Sequence, residues 1–147
     1  MIYALRLSSM ILASIALIPA GAHFFSLLSK MRLTESDYLV AQRAYDGWSM
    51  FGIVVIGALL TTLALAIVLY RAGLPYLLPL ASFACIAGTQ LIFWVFTFPT
   101  NRLTNNWTQI PDQWEAVRRQ WELSHAGSAV LNFIALLLLF LSALGSR

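Results

Sequence analysis

The chain has 147 residues, of which 60% are hydrophobic and 10% charged, with a formal net charge of +3. Soluble domains carry charge on about a quarter of their residues, and a domain this small leaves much of its surface exposed, so the apolar excess has to face lipid. The nine Lys and Arg are scattered and form no basic stripe with base-stacking aromatics, which excludes nucleic acid as a partner. Cys85 stands alone in an apolar run, excluding an intramolecular disulfide or a multi-cysteine metal site, and reads as a small packing residue.

A membrane-spanning helix needs about 20 mainly apolar residues. Four segments meet that length, over residues 5–28, 48–70, 75–98 and 126–144. The expected fold is all-α: one domain, a four-helix membrane bundle with short helical segments capping one end. Near the N-terminus, Arg6, the apolar stretch 7–18 and Ala20-Gly21-Ala22 imitate a signal peptide. Cleavage there would leave His23 as a terminal copper ligand. The apolar run continues through Phe24, Phe25, Leu27 and Leu28, so the segment reads as a retained first span, bent near Pro19.

The connections are unequal. Spans two and three are joined only by Arg71-Ala72-Gly73-Leu74-Pro75, a tight turn in which glycine ends one helix and proline starts the next. Residues 29–47 and 99–125 are long, charged and aromatic, and hold all six acids together with Lys30, Arg32, Arg43, Arg102, Arg118 and Arg119. Thr34-Glu35-Ser36-Asp37 has the spacing of a helix N-cap. After it Tyr38, Ala41, Gln42, Tyr45 and Trp48 recur at helical spacing, predicting a helix that runs on into span two. Pro111-Asp112-Gln113-Trp114-Glu115 reads as another helix start, with Glu115–Arg119 and Arg118–Glu122 as i,i+4 ion pairs. On this helix Trp114, Arg118, Trp121 and His125 fall on one stripe. Arg6, Arg71 and Arg147 mark the other side. Taken literally, the positive-inside count puts the long connections in the cytoplasm; several of those bases are paired with acids and can instead belong to a folded cap, so both orientations stand, with the cell (inner) membrane as the expected location.

Polar chemistry gathers at the capped end. His23 lies about two turns, roughly 10 Å, inside the end of span one, and His125 enters span four from the same side. Tyr45, Trp48, Asn101 and Arg102 share that level, and Gln90 lies deeper in span three. A histidine facing lipid is costly, so His23 should point inward. Each residue also has a plainer reading. His23 can serve as an interhelical hydrogen-bonding group, Gln90 and Asn132 as helix–helix glue, and Arg118 and Arg119 as surface charges. Trp107, Trp114 and Trp121 suit either an interfacial aromatic belt or a pocket wall. Two histidines make a sparse metal site, since zinc wants three or four ligands. Bis-histidine haem ligation from spans one and four, or a His-His-carboxylate set recruiting Glu122, are the cofactor alternatives. The least demanding chemistry is cofactor-free, with a histidine as general base on a bound organic molecule.

Pro99-Thr100-Asn101-Arg102-Leu103, followed by Trp121-Glu122-Leu123-Ser124-His125, resembles the paired motif of the anthrone-oxygenase-like family of small membrane proteins. The stretch from His23 through Lys30-Met31 to Tyr45-Asp46-Gly47-Trp48 resembles the family's bacterial branch, and the similarity covers most of the chain. The resemblance implies four spans and oxidation of anthrone-like aromatics without a conventional metal or flavin. By it, Asn101, Trp121 and His125 become site positions. The chain departs from the family pattern at Ser128, where an arginine often stands. The resulting expectation is a membrane enzyme for a small apolar aromatic or quinone-like molecule. His125 would take a proton, Asn101 and Arg102 would stabilise the oxyanion, and His23, Tyr45, Trp48, Gln90 and Trp121 would surround the substrate. The competing expectation is a non-enzymatic subunit or assembly factor, whose cap docks a membrane partner or a second copy.

Overall fold

In hydrocarbon every backbone polar group has to be satisfied within its own segment, so apolar runs of this length fold as helices. The computed structural model describes residues 1–145, and among them there are no strands. The elements are α1 (Ile2–Lys30), α2 (Glu35–Gln42), 3₁₀ turns at Arg43–Tyr45 and Trp48–Met50, α3 (Phe51–Arg71) and α4 (Leu77–Ile92). A π-helical segment (Phe93–Thr97), α5 (Phe98–Leu103) and α6 (Trp114–Leu144) complete the chain. Four continuous helices are long and apolar enough to cross a membrane: Ile2–Lys30, Trp48–Arg71, Leu77–Leu103 and Trp114–Leu144. This is an integral membrane four-helix bundle capped at one end by short helical segments. Arg147, used in the charge count, lies outside the described residues.

α1 packs on α3 and α6, and α4 packs on α6 and α3, closing a ring of four helices. No more than 28% of the most apolar window of any span is buried within the chain. Side chains such as Phe25, Ile53, Leu91 and Phe133 are exposed on its outside. These faces contact the bilayer. The interior is lined by small residues, among them Ala13, Ala16, Ala58, Ala66, Ala129 and Ala135, which let backbones approach where no hydrophobic force separates helix from lipid. Gly88 makes the point: a Cβ there would stand 3.1 Å from a methyl of Leu131. The Ser82 hydroxyl donates to the Ala135 carbonyl across the same interface at 2.9 Å.

The turn after α3 is a Schellman motif. Leu74 N–H donates to the Leu69 carbonyl at 3.0 Å and Gly73 N–H to Tyr70 at 3.1 Å, with Gly73 at φ 67° as the geometry requires.

α1 continues through Pro19 as one helix. Two expectations are corrected. α2 does not run on into span two: it starts as expected at Thr34, whose hydroxyl accepts from Asp37 N–H, but ends at Gln42. Gly47, at φ 81°, then turns the chain before α3 begins. The third span overshoots residue 98 and continues through Pro99 to Leu103. Proline removes an i→i−4 hydrogen bond, and the π-helical Phe93–Thr97 lies directly ahead of it, where the ladder widens.

Candidate functional site

His23 and Lys30 are seven residues apart on α1, two turns along one face, and both are buried at 5% and 4% exposure. From α6, Arg118, Trp121, Glu122 and His125 face them. The Lys30 ammonium lies 2.8 Å from Glu122 Oε1 and 3.2 Å from His23 Nδ1. The Tyr38 hydroxyl, from the cap, donates to the same Glu122 oxygen at 2.9 Å. Glu122 is fully buried, and its second oxygen has no hydrogen-bond partner among the described residues. Burial, together with the negative Glu122 carboxylate that accepts its hydrogen bond, raises the Tyr38 phenol well above its ordinary value.

This pair replaces the one expected from spacing. The Lys30–Glu122 contact is the sole ion pair among the described residues, so neither Arg118–Glu122 nor Glu115–Arg119 forms. Arg118 points instead at the end of α1, where its guanidinium donates to the carbonyls of Leu33 at 2.9 Å and Lys30 at 3.4 Å. A cation is well placed there, on the unsatisfied carbonyls of a helix C-terminus. Its other face lies over the Trp114 ring at 4.3 Å.

An ammonium group has three donors and no acceptor. His23 Nδ1 must therefore supply a lone pair to Lys30, which places the His23 proton on Nε2. The His23 ring stacks on His125, with centroids 4.2 Å apart and planes 26° from parallel. Tyr45 lies 4.1 Å from His23, Trp48 6.3 Å away, and Trp121 4.9 Å away, edge on. Trp121 also meets His125 at 4.2 Å. Lys30 sits over both the Tyr45 and Trp121 rings, 5.0 and 5.2 Å from their centroids. An aromatic box thus encloses the ammonium and the two imidazoles. No hydrogen bond to either ring nitrogen of His125 is formed among the described residues.

The structure brings together His23, His125, Tyr45, Trp48 and Trp121. Asn101 joins through its side-chain carbonyl, which accepts from the Trp121 indole N–H at 2.7 Å. That contact makes Asn101 a positioning residue for the ring wall. Asn101→Leu leaves the indole donor without its partner and is expected to cost about 1–3 kcal/mol, read as a lower thermal unfolding midpoint in detergent. Arg102 is exposed, and no side-chain hydrogen bond or ion pair ties it to the cluster. Among the described residues, Gln90 hydrogen-bonds only its neighbour Thr89, at 3.4 Å. Trp107 forms no outer belt: it is 6% exposed and packs with Tyr38 and Trp121. Its backbone is held left-handed at φ 63°, as are Asn105 and Asn106 before it, a conformation unusual for a bulky residue.

The residues missed from sequence are Lys30, Glu122 as its partner, and Tyr38. The signal for Lys30 was its i+7 spacing from a histidine already expected to face inward. No group of three or more His, Cys, Asp or Glu among the described residues is placed to share a metal ion. His23 and His125 present ring faces to one another at 4.2 Å. Comparison with protein-family models, with curated proteins and with solved structures finds no match to this chain.

Proposed function

We propose that this membrane protein is an oxygenase-like enzyme that takes a small apolar aromatic or quinone-like molecule from the bilayer at its capped end. The observation that carries the reading is His125. It is an imidazole with no hydrogen-bonding partner among the described residues, stacked on a histidine whose tautomer a buried ammonium fixes. Ionisable groups inside a membrane bundle are expensive and mark functional sites by default. In this reading His125 accepts a proton from an acidified ring methylene. Lys30, with one N–H still uncommitted to Glu122 or His23, stabilises the oxygen on which negative charge develops. The role first given to Arg102 thereby passes to Lys30. The carbanion then reduces dioxygen, the co-substrate: the methylene becomes a carbonyl, one oxygen atom entering it and the other leaving as water with the two hydrogens. The resemblance of residues 99–103 and 121–125 to the anthrone-oxygenase-like motifs supports the same chemistry.

The test is direct. Purified protein in lipid nanodiscs, given anthrone and dissolved oxygen, is expected to form anthraquinone with one dioxygen consumed per anthrone, above the rate of empty nanodiscs. Equal rates with and without protein would overturn the reading.

One observation favours a second reading, a non-enzymatic subunit whose cap docks a membrane partner. The two imidazoles are in contact, leaving no gap between them for a ligand. A stable partner that co-purifies stoichiometrically, with no organic molecule retained in native mass spectrometry, would select it.

A further inference from the structure

A groove of about 290 Å³ opens on the outside of the bundle between the π-helical segment and α6, lined by Ile92, Phe96, Gln120, Leu123 and Ser124. We infer that this groove is a lateral port through which a flat apolar molecule bearing a carbonyl or hydroxyl passes from the bilayer to His125. The inference rests on the enzyme reading above and adds the route of its substrate.

Position on α6 carries the argument. At about 100° per residue, Leu123, Gln120 and Ser124 follow one another round the helix, and Trp121 and His125 come next. Ser124 is therefore the boundary between the groove and the histidine pair. It is buried at 7% exposure. Its hydroxyl shares a 2.8 Å hydrogen bond with the Thr97 hydroxyl and also donates to the Trp121 carbonyl at 2.7 Å. Thr97, the last residue of the π-helical segment, is 1% exposed. The seam closing the groove towards the site is thus two small hydroxylated side chains, where bulky apolar ones would seal it. π-Bulges in α-helices recur at functional sites because the widened turn alters local packing. Here the widened turn also presents a carbonyl, Phe96 O, to the Gln120 side chain at 3.0 Å.

The lining names the occupant. Ile92, Phe96 and Leu123 offer apolar walls, while Gln120 and Ser124 supply polar groups at one side. A lipid acyl chain has no use for the polar pair; an aromatic ketone or phenol has. The volume, about 290 Å³, falls just below the range of about 300–1,000 Å³ typical of small-molecule sites, so the groove suits a small flat ring system in passage.

Photolabelling with 2-azidoanthraquinone in nanodiscs, followed by peptide mapping, tests the port. The wild-type protein should carry label both on the groove (Phe96, Leu123) and on the inner residues Trp121 and His125. Ser124→Leu, which blocks the seam, should keep the groove label, lose the inner label and lower kcat/KM for anthrone roughly tenfold through KM. Ser124→Ala, which removes the hydroxyl bonds without adding bulk, should increase inner labelling and guards against a folding defect in the larger variant. Inner label without groove label would overturn the port while leaving the enzyme reading intact. A groove labelled only by a photoactivatable phospholipid would also overturn the port. No label anywhere, with no anthrone oxidation, would remove both.

Discussion

Glu122→Ala is expected to destabilise the bundle by about 3–5 kcal/mol, because it leaves Lys30 charged and unpaired inside the protein. Glu122 Oε1 accepts from Lys30 at 2.8 Å and from Tyr38 at 2.9 Å, joining α1, α6 and the cap at one atom. Replacing both charges with apolar residues of similar volume, Lys30→Met with Glu122→Leu, should recover much of that loss, since buried ion pairs exchanged for packed apolar groups are often neutral. Thermal unfolding of the single and double variants in the same detergent measures this. If Glu122→Ala unfolds at the wild-type temperature, the pair is not the support described. Lys30→Met adds an independent readout. Nitrogen NMR of the ring in wild-type protein should report His23 protonated at Nε2, and the Lys30 variant should lose that bias.

His125→Ala should lower the rate of anthrone oxidation by about 10²–10⁴-fold, the range a positioned general base contributes. The reasoning is geometric. His125 is held by ring contacts with His23 at 4.2 Å and Trp121 at 4.2 Å, and its nitrogens make no hydrogen bond among the described residues. His125→Gln keeps some of the volume and polarity but no comparable base, so it should be equally slow while folding normally. Removing His125 takes away one wall of the box, not a buried charge, so the thermal midpoint should fall less than in Glu122→Ala. A His125→Ala protein that oxidises anthrone at the wild-type rate would sink the proposed base. A fast Lys30→Met variant would reassign the oxyanion donor.

The bundle was legible because lipid makes helix placement depend on the length of an apolar run and little else. The cap was legible only in part. Thr34 was readable as an N-cap because a hydroxyl three residues before a free N–H acts locally. Gly47, which ends the helical course before span two at φ 81°, outweighed a periodicity that carried on through Trp48. At the site, His23, His125, Tyr45, Trp48 and Trp121 were foreseeable as polar or aromatic groups at one depth of a bundle. Lys30 and Glu122 were harder. Each had a nearer explanation: lysine as a membrane-flanking charge, glutamate as the i+4 partner of Arg118. Choosing between them needed the facing of α1 against α6, which no local pattern records. Arg102 stands apart from the cluster for the converse reason: adjacency to Asn101 in sequence puts it on a different side of a helix.

The Lys30–Glu122 contact joins the first spanning helix to the last, and that has a consequence for biogenesis. A chain emerging from the ribosome delivers α1 long before α6. Until the final helix enters the bilayer, Lys30 has no carboxylate to neutralise it and the cap has no glutamate to hold Tyr38. Completion of the bundle and completion of the site are therefore one event. A chain that stops short of α6 therefore lacks the carboxylate that pairs with Lys30 at the end of its first membrane helix.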